Sequence, residues 1–329
     1  MQIGVIHNQP IPKGEPNWES SIDVMVQVEA ISRALTELGH VPIAIPFTRD
    51  LASFINQLQQ ADVEAAFNLC ESVDEDPRLI GHPAAVLELL GLPFTGSSSM
   101  ALAVSTDKLL NKRIMANAGI RTSAFFAYEG GEVPRPLNLT FPLIMKPRWQ
   151  DASIGIDQES MILNSKGMLK TLSDFYRRFG PLLVEEYVEG REFNVSLLGD
   201  PLPRVMPLAE IDFSGFPSDL FRIVGYKAKW DEESAEYKTT GRVFPDDLPR
   251  DLSRSIRRVA KDCFQLFGLR DYGRVDMRID FRGRIYVLEV NANPCLSPDA
   301  GFTAAVLKAD LSYKGMVGEL VNQVNRRIR

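Results

Sequence analysis

Histidine, cysteine, net positive charge and long apolar runs are what this chain lacks. Among 329 residues there are three histidines and three cysteines. His7, His40 and His82 are scattered, which counts against a histidine-based metal site or a Ser-His-Asp triad. Cys70, Cys263 and Cys295 are far apart and odd in number. No disulfide framework or zinc spacing is visible, as suits a reducing cytoplasm. No apolar stretch approaches the roughly 20 residues that span a bilayer. The opening MQIGVIHNQ has no basic segment before an apolar one, so it reads as a first β-strand and not as a signal peptide. Lysine and arginine number 37 against 43 acidic residues, a net charge of −6. That balance argues against nucleic acid or an anionic membrane as partner. No G-x-G-x-x-G follows the first strand, where the chain reads Gly4-Val-Ile-His-Asn, so a dinucleotide-dependent oxidoreductase is disfavoured.

What is present is an ordinary soluble composition, 45% hydrophobic and 24% charged. The length allows a sizeable core and roughly two domains. Residues 1–97 alternate short apolar runs with helical patterns. Strands are expected at 2–6, 41–46 and 65–69, with a closing strand at 92–96, and helices at 21–38, 51–59 and 81–90. Strands alternating with helices imply a parallel sheet, hence an α/β unit. A second unit starts near Ser98. Ser105 is the expected N-cap of a helix over 106–118, ended by Gly119. Strands follow at 122–128, 141–147, 181–188 and 191–198, with a Pro-rich link at 133–136. Residues 199–249 are irregular and charged. An amphipathic helix is expected over 252–267, and a last helix over 313–327.

The most informative stretch is RVDMRIDFRGRIYVLEVN, Arg274 to Asn291. Arg282-Gly283 separates two alternating runs and reads as a β-hairpin turn. With a two-residue loop, Phe281 faces Arg284, Asp276 faces Glu289 and Arg274 faces Asn291. Alternation then puts Arg274, Asp276, Glu289 and Asn291 on one face. Val275, Met277, Ile279, Tyr286, Leu288 and Val290 take the other, the core face. Opposed carboxylates repel. A hard cation with oxygen ligands, such as Mg²⁺ carrying phosphate oxygens, suits Asp276, Glu289 and Asn291, and Arg274 can neutralise an oxyanion beside it.

Other segments carry weaker signals. Lys146 ends the run FPLIMK, and the loop after it holds Ser153 and Gly155, whose backbone N–H groups suit phosphates. Lys108 lies in the first turn of a helix, where anions are favoured. Lys229 lies in a charged loop. In LLVEEYVEGREFNV a strand end and tight turn offer backbone groups to a purine edge, and Glu192 offers a carboxylate to ribose hydroxyls.

Taken in order, these pieces resemble the ATP-grasp superfamily, and within it most closely the D-alanine–D-alanine ligases. The resemblance is carried by FNLCES, GHPAAVLELLGLPFTGSSSMALAVSTDKLLNK, FPLIMKP, VEEYVEGREFNV, YKAKW, GRVDMRIDF and YVLEVNANP. It implies an ATP-grasp fold, α+β overall. An N-terminal parallel α/β domain (1–97) precedes two α+β subdomains (98–180 and 181–329) that clasp ATP. It implies that Lys108 and Lys146 hold nucleotide phosphates and that Lys229 does so from a mobile loop. Glu185 is expected at the adenine amino group, the backbone of Glu186 and Val188 at the purine edge, and Glu192 at the ribose. Ser153 belongs to the phosphate loop. Arg274 is expected to steady the reacting carboxylate, and Asp276, Glu289 and Asn291 to ligate Mg²⁺ or Mn²⁺. Small-molecule carboxylate and amine substrates, a cytoplasmic setting and a homodimer are implied as well. The chain also departs from the ligases. Their Gly-Ser-Ser phosphate loop is Asp151-Ala152-Ser153 here, and their Lys-Tyr pair is Lys229-Trp230. Cys295 and Ala300-Gly301 stand at acceptor positions, and the segment that receives the first substrate's amine is unrecognisable, with Glu19 or Asp23 as candidates. The nucleotide and metal positions are kept while the amino-acid positions change. The expected activity is ATP-dependent carboxylate–amine ligation through an acyl phosphate on a different substrate. The alternative is a nucleotide-binding accessory protein of the same fold.

Overall fold

The computed structural model describes residues 1–15, 18–133 and 138–328, and the side chains of residues 19, 20 and 328 lie outside that description. The first unit contains β1 (Gln2–Asn8), α1 (Trp18–Glu37), β2 (Val41–Phe47), α2 (Leu51–Gln60), β3 (Ala65–Asn68) and α3 (Gly81–Leu89). β1 lies between β2 and β3, and both pairings are parallel. This is the sheet that alternation of strand and helix predicts. Local chemistry sets the boundaries: Asp50 caps α2 by accepting from Ser53 N at 3.0 Å. The expected closing strand at 92–96 is reduced to one parallel bridge, Phe94 to Ala66. Pro93 has no N–H to extend the ladder, and Gly96 turns away at φ +85° with its N–H on Asp271 at 2.8 Å.

The expected helix over 106–118 is two helices, α4 (Ser99–Thr106) and α5 (Lys108–Asn117). Asp107, not Ser105, is the N-cap of α5: its carboxylate accepts from Leu109 N and Leu110 N, both at 3.1 Å. Ser105 instead donates to Leu102 O within α4. Asp107 also binds Arg148 at 2.8 and 2.7 Å, so the start of α5 is tied to the loop after Lys146.

The second sheet is antiparallel, in the order β4 (Phe125–Tyr128), β7 (Leu182–Glu186), β5 (Leu143–Pro147), β6 (Met161–Ile162), and α6 (Met168–Phe179) packs on it through Leu172 and Phe175. β7 belongs to this sheet, so a division at residue 180 falls just before one of its strands. Most of the Pro-rich link at 133–136 lies outside the described residues.

The third sheet contains β8 (Arg191–Leu198), β9 (Arg204–Val205), β10 (Ala209–Asp212), β11 (Gly241–Val243), β12 (Tyr272–Ile279) and β13 (Ile285–Asn291). Its order is β11-β10-β8-β12-β13, with β9 on β8. Between β10 and β11 lie two short helices, α7 (Tyr226–Trp230) and α8 (Ala235–Lys238). α9 (Arg250–Leu266) buries Ile256, Ala260, Cys263 and Phe264 against the sheet. α10 (Gly301–Lys308) and α11 (Tyr313–Ile328) pack with α1 and β1 around Phe302, Val306, Val317 and Leu320. Among the described residues no helix is long and apolar enough to cross a membrane.

The β12–β13 hairpin matches the count from sequence where it matters: Asp276 faces Glu289 and Arg274 faces Asn291. It does so because two departures cancel. The ladder closes on Asp280, whose N–H donates to Arg284 O at 3.1 Å, so the loop is Phe281, Arg282 and Gly283. The register then shifts beside Asp276 and Leu288 bulges out. As a result Met277 faces Val287, which is fully buried, and Ile285 packs on the core. Leu288 and Tyr286 leave the core face that alternation assigned to them. Leu288 lines a cavity and Tyr286 lies beside Arg121 and Arg284.

Candidate active site

The second and third sheets face one another across a cleft of about 650 Å³. Its walls include Lys146 from β5, Glu185 and Glu186 from β7, Val188, and Glu192 from β8. Lys229 from α7, Arg274 and Asp276 from β12, Glu289 and Asn291 from β13, and the loop residues Asp151 and Ser153 complete them. One cleft thus gathers nearly every residue singled out above. Lys108 stands just behind it and reaches the loop after β5, with Nζ on Gln150 O and 3.4 Å from Asp151 Oδ1.

Charge is concentrated at the hairpin. Arg274 binds Asp276 through two bonds, 2.8 and 2.7 Å, and Asn194 Nδ2 donates to the same carboxylate at 2.9 Å. Burial raises the pKa of Asp276, and Arg274 opposes that rise. Glu289 makes no hydrogen bond or ion pair among the described residues. Burial alone would raise its pKa, yet Lys108, Lys146, Arg274 and Lys229 together hold it down. Glu289 is therefore an ionised carboxylate opposite another, with no cation of its own. Two carboxylates and the Asn291 amide form an oxygen-only donor set, and that set fits a hard divalent cation.

At the β5–β7 end of the cleft, Glu185 is nearly inaccessible, with its carboxylate 2.5 Å from both Lys112 and Lys146. Burial pushes its pKa up, but the two lysines outweigh burial and lower it to about 2. Glu192 accepts two bonds from Arg278, at 2.9 and 2.7 Å, and Arg278 also donates to Val188 O at 2.9 Å. The N–H of Glu186 is used by Ala124 O at 2.9 Å, and its carboxylate accepts from Thr140 N at 2.6 Å.

The loop after β5 meets the α7 segment directly. Trp230 Nε1 donates to Ala152 O at 3.0 Å, Ser153 Oγ donates to Val224 O at 2.7 Å, and Tyr226 N donates to Ile156 O at 2.9 Å. Ala152 and Ser153 hold φ of +53° and +62°, in the left-handed region, without glycine. Burial lowers the pKa of Lys229, as does Arg274, against the pull of Glu289 and Asp276.

The far end of the cleft brings together Asp23 and Cys295, named above as departures from the ligases, with residues that carried no signal in sequence. Asp23 accepts from the Cys295 thiol at 3.0 Å and from Ser297 Oγ at 2.9 Å. Gln27 Nε2 lies 3.5 Å from Asp23 and 3.0 Å from Glu71. Burial, with Asp23 and Asp151 nearby, raises the Glu71 pKa to about 7 against the Gln27 bond. Arg242 lines the same end, its guanidinium 3.2 Å from where a Cβ on Gly301 would stand, and it makes no hydrogen bond or ion pair among the described residues. Of the two candidates for the amine-receiving acid, Asp23 lies in this cluster and the Glu19 side chain lies outside the described residues. Sequence reading missed Lys112, Glu71, Arg242 and Arg278. Only Arg278 had a signal: alternation along β12 puts it on the same face as Arg274 and Asp276.

A family model described as the D-ala D-ala ligase C-terminus matches residues 114–322. An uncharacterized protein of Sinorhizobium fredii, y4sG, is 28% identical over 331 residues, covering 98% of this chain and 94% of that protein. A D-alanine–D-alanine ligase of Pelobacter propionicus is 30% identical over 290 residues, covering 87% of this chain and 84% of its own. The crystal structure of a Bacillus anthracis D-alanine–D-alanine ligase complexed with ATP aligns with a TM-score of 0.78 at 20% identity, covering 100% of this chain and 99% of that one.

Proposed function

This chain belongs to the family of D-alanine–D-alanine ligases, which are ATP-dependent carbon–nitrogen ligases, and on that footing we propose that it joins a small carboxylic acid to an amine other than the D-alanine pair. One observation carries the reading. Three cationic side chains, Lys146, Lys229 and Arg274, line one cleft with the unpaired Glu289, and with Lys108 just behind it they hold that carboxyl below its ordinary pKa. That arrangement suits ATP, whose triphosphate needs positive charge on its outer oxygens and metal ligands on its inner face.

In this reading Lys108, Lys146 and Lys229 hold the phosphates, and Ser153 presents the closing loop. Glu185 accepts from the adenine amino group, the backbone at Glu186 and Val188 meets the purine edge, and Glu192 receives the ribose. Asp276, Glu289 and Asn291 would hold Mg²⁺ or Mn²⁺, which when bound neutralises phosphate charge and orients the transferring group. Arg274 steadies the substrate carboxylate. A carboxylate oxygen attacks the γ-phosphorus and ADP leaves; the amine then attacks the acyl carbon, loses a proton and displaces phosphate. The protein positions charge and supplies little covalent chemistry. We also propose three units that follow the expected 1–97, 98–180 and 181–329, except that the second ends after β7 and not at residue 180.

A substrate other than the D-alanine pair is supported by the far end of the cleft. Asp23, Cys295, Ser297 and Glu71 make a polar, acidic wall, and the unpaired Arg242 faces it. The test is phosphate release from ATP–Mg²⁺ over a panel of D- and L-amino acids, dipeptides and small acids. Release above background with an acid–amine pair other than two D-alanines supports the proposal. ATP binding with no release from any pair points to an accessory nucleotide-binding role.

A further inference from the structure

The buried charges behind the cleft carry more than the phosphate-binding roles already given. Lys112 lies on α5 four residues after Lys108, so the two share a helix face. Lys108 reaches the loop that closes on the cleft, while Lys112 points deeper and lines no part of the cavity. Its side chain is 1% exposed. It is held by Thr122 Oγ1 at 2.5 Å, Ser123 Oγ at 3.1 Å and Val287 O at 3.4 Å. An ammonium group taken so far from water is costly unless something requires its charge.

What requires it is Glu185. Glu185 Oε2 is 2.5 Å from Lys112 Nζ, and Ser123 Oγ donates to the same oxygen at 2.5 Å. Glu185 Oε1 is 2.5 Å from Lys146 Nζ, yet it accepts no aligned hydrogen bond. Lys146 and Glu185 both face the cavity. One carboxylate between two ammonium groups leaves the triad with a single net positive charge. Take Lys112 away, and Lys146 and Glu185 neutralise each other, so the triad offers no net charge to an anion in the cleft. In a site shielded from water, one unit of charge a few ångströms from a phosphate decides affinity.

We infer that Lys112 is a positioning residue for nucleotide binding, which satisfies Glu185 from behind so that Lys146 stays free to meet the phosphates. The inference rests on the reading of the cleft as an ATP site. It makes a specific demand: loss of Lys112 must weaken binding of the phosphates and not of the nucleoside.

Calorimetry on the full chain provides the test, with ATP and adenosine each titrated in the presence of Mg²⁺. In Lys112→Met the ATP-to-adenosine affinity ratio should fall by about tenfold or more. Lys112→Arg, which keeps the charge, should stay within about threefold of wild type. Lys112→Met combined with Glu185→Gln removes both buried charges and leaves that of Lys146, so the ratio should return to within about threefold of wild type. If Lys112→Met does not fold, the double variant carries the test, because its one remaining charge, that of Lys146, lines the cleft. An unchanged ratio in Lys112→Met, or a tenfold loss in the double variant, overturns the inference. Failure of the wild type to bind ATP–Mg²⁺ would instead overturn the reading of the cleft.

Discussion

The indole N–H of Trp230 donates to the carbonyl of Ala152 across 3.0 Å, joining the helix that carries Lys229 to the loop after Lys146. With Ser153 on Val224 O, this joins the two sides of the cleft beside Lys146 and Lys229, although the loop has neither the glycine nor the second hydroxyl of the related ligases. Trp230→Phe keeps the ring and removes the donor. A hydrogen bond of this kind contributes on the order of 1 kcal/mol. ATP affinity measured by calorimetry is therefore expected to fall about fivefold, with the thermal midpoint nearly unchanged. Unaltered affinity would mean that the contact plays no part in holding the closed loop.

Glu71 sets a pH dependence. Its folded pKa is about 7 against an ordinary 4.5, because it is buried near Asp23 and Asp151. Between those values the folded chain holds a proton that the unfolded chain has lost. Stability should therefore fall as pH rises from about 4.5 to 7 and level off above. Glu71→Gln removes the titration. Urea midpoints of the two proteins measured from pH 5 to 8 should diverge with rising pH, the variant gaining relative to wild type. Parallel curves would show that Glu71 is solvated and ordinary.

Gly190 is where the chain turns between β7 and β8. It adopts φ +154°, and a Cβ there would sit 2.0 Å from Ile279 O and 2.7 Å from the carbonyl carbon. The contact is with backbone, which cannot move aside. Gly190→Ala should cost more than about 2 kcal/mol and displace the Glu192–Arg278 pair. Denaturant unfolding measures the first effect. A loss below about 0.5 kcal/mol would mean that the turn relaxes freely.

Much of the fold was legible because period and punctuation were strong. α9 and β8 fall within a residue or two of the positions their patterns give, and the parallel first sheet follows from alternation. The pairing of Asp276 with Glu289 was legible for a less secure reason, since the longer loop and the bulge at Leu288 offset one another. A bulge leaves no mark in an alternating run, so Leu288 and Tyr286 went to the wrong face. Asp107 was passed over as a cap in favour of Ser105 because both types cap helices and only geometry separates them. The residues around Lys146 and Glu185 stood out through motifs. Asp23 and Cys295 were named from the resemblance, but their meeting with Ser297 was not foreseen, because it forms only when the first unit folds against the loop after β13, and no local pattern encodes a contact across some 270 residues. Lys112 was invisible for the opposite reason: a lysine in a helix reads as a solvated side chain until its burial is known.

The account depends above all on the free carboxylate of Glu289 opposite Asp276. Glu289→Gln is nearly isosteric and removes only the charge that the four cations stabilise. The decisive measurement is phosphate release from ATP–Mg²⁺ by wild type and Glu289→Gln, with the acid and amine found active for wild type. The account predicts turnover in wild type and a loss of at least about a hundredfold in the variant, with the fold intact by circular dichroism. Turnover in Glu289→Gln within a few-fold of wild type would contradict it.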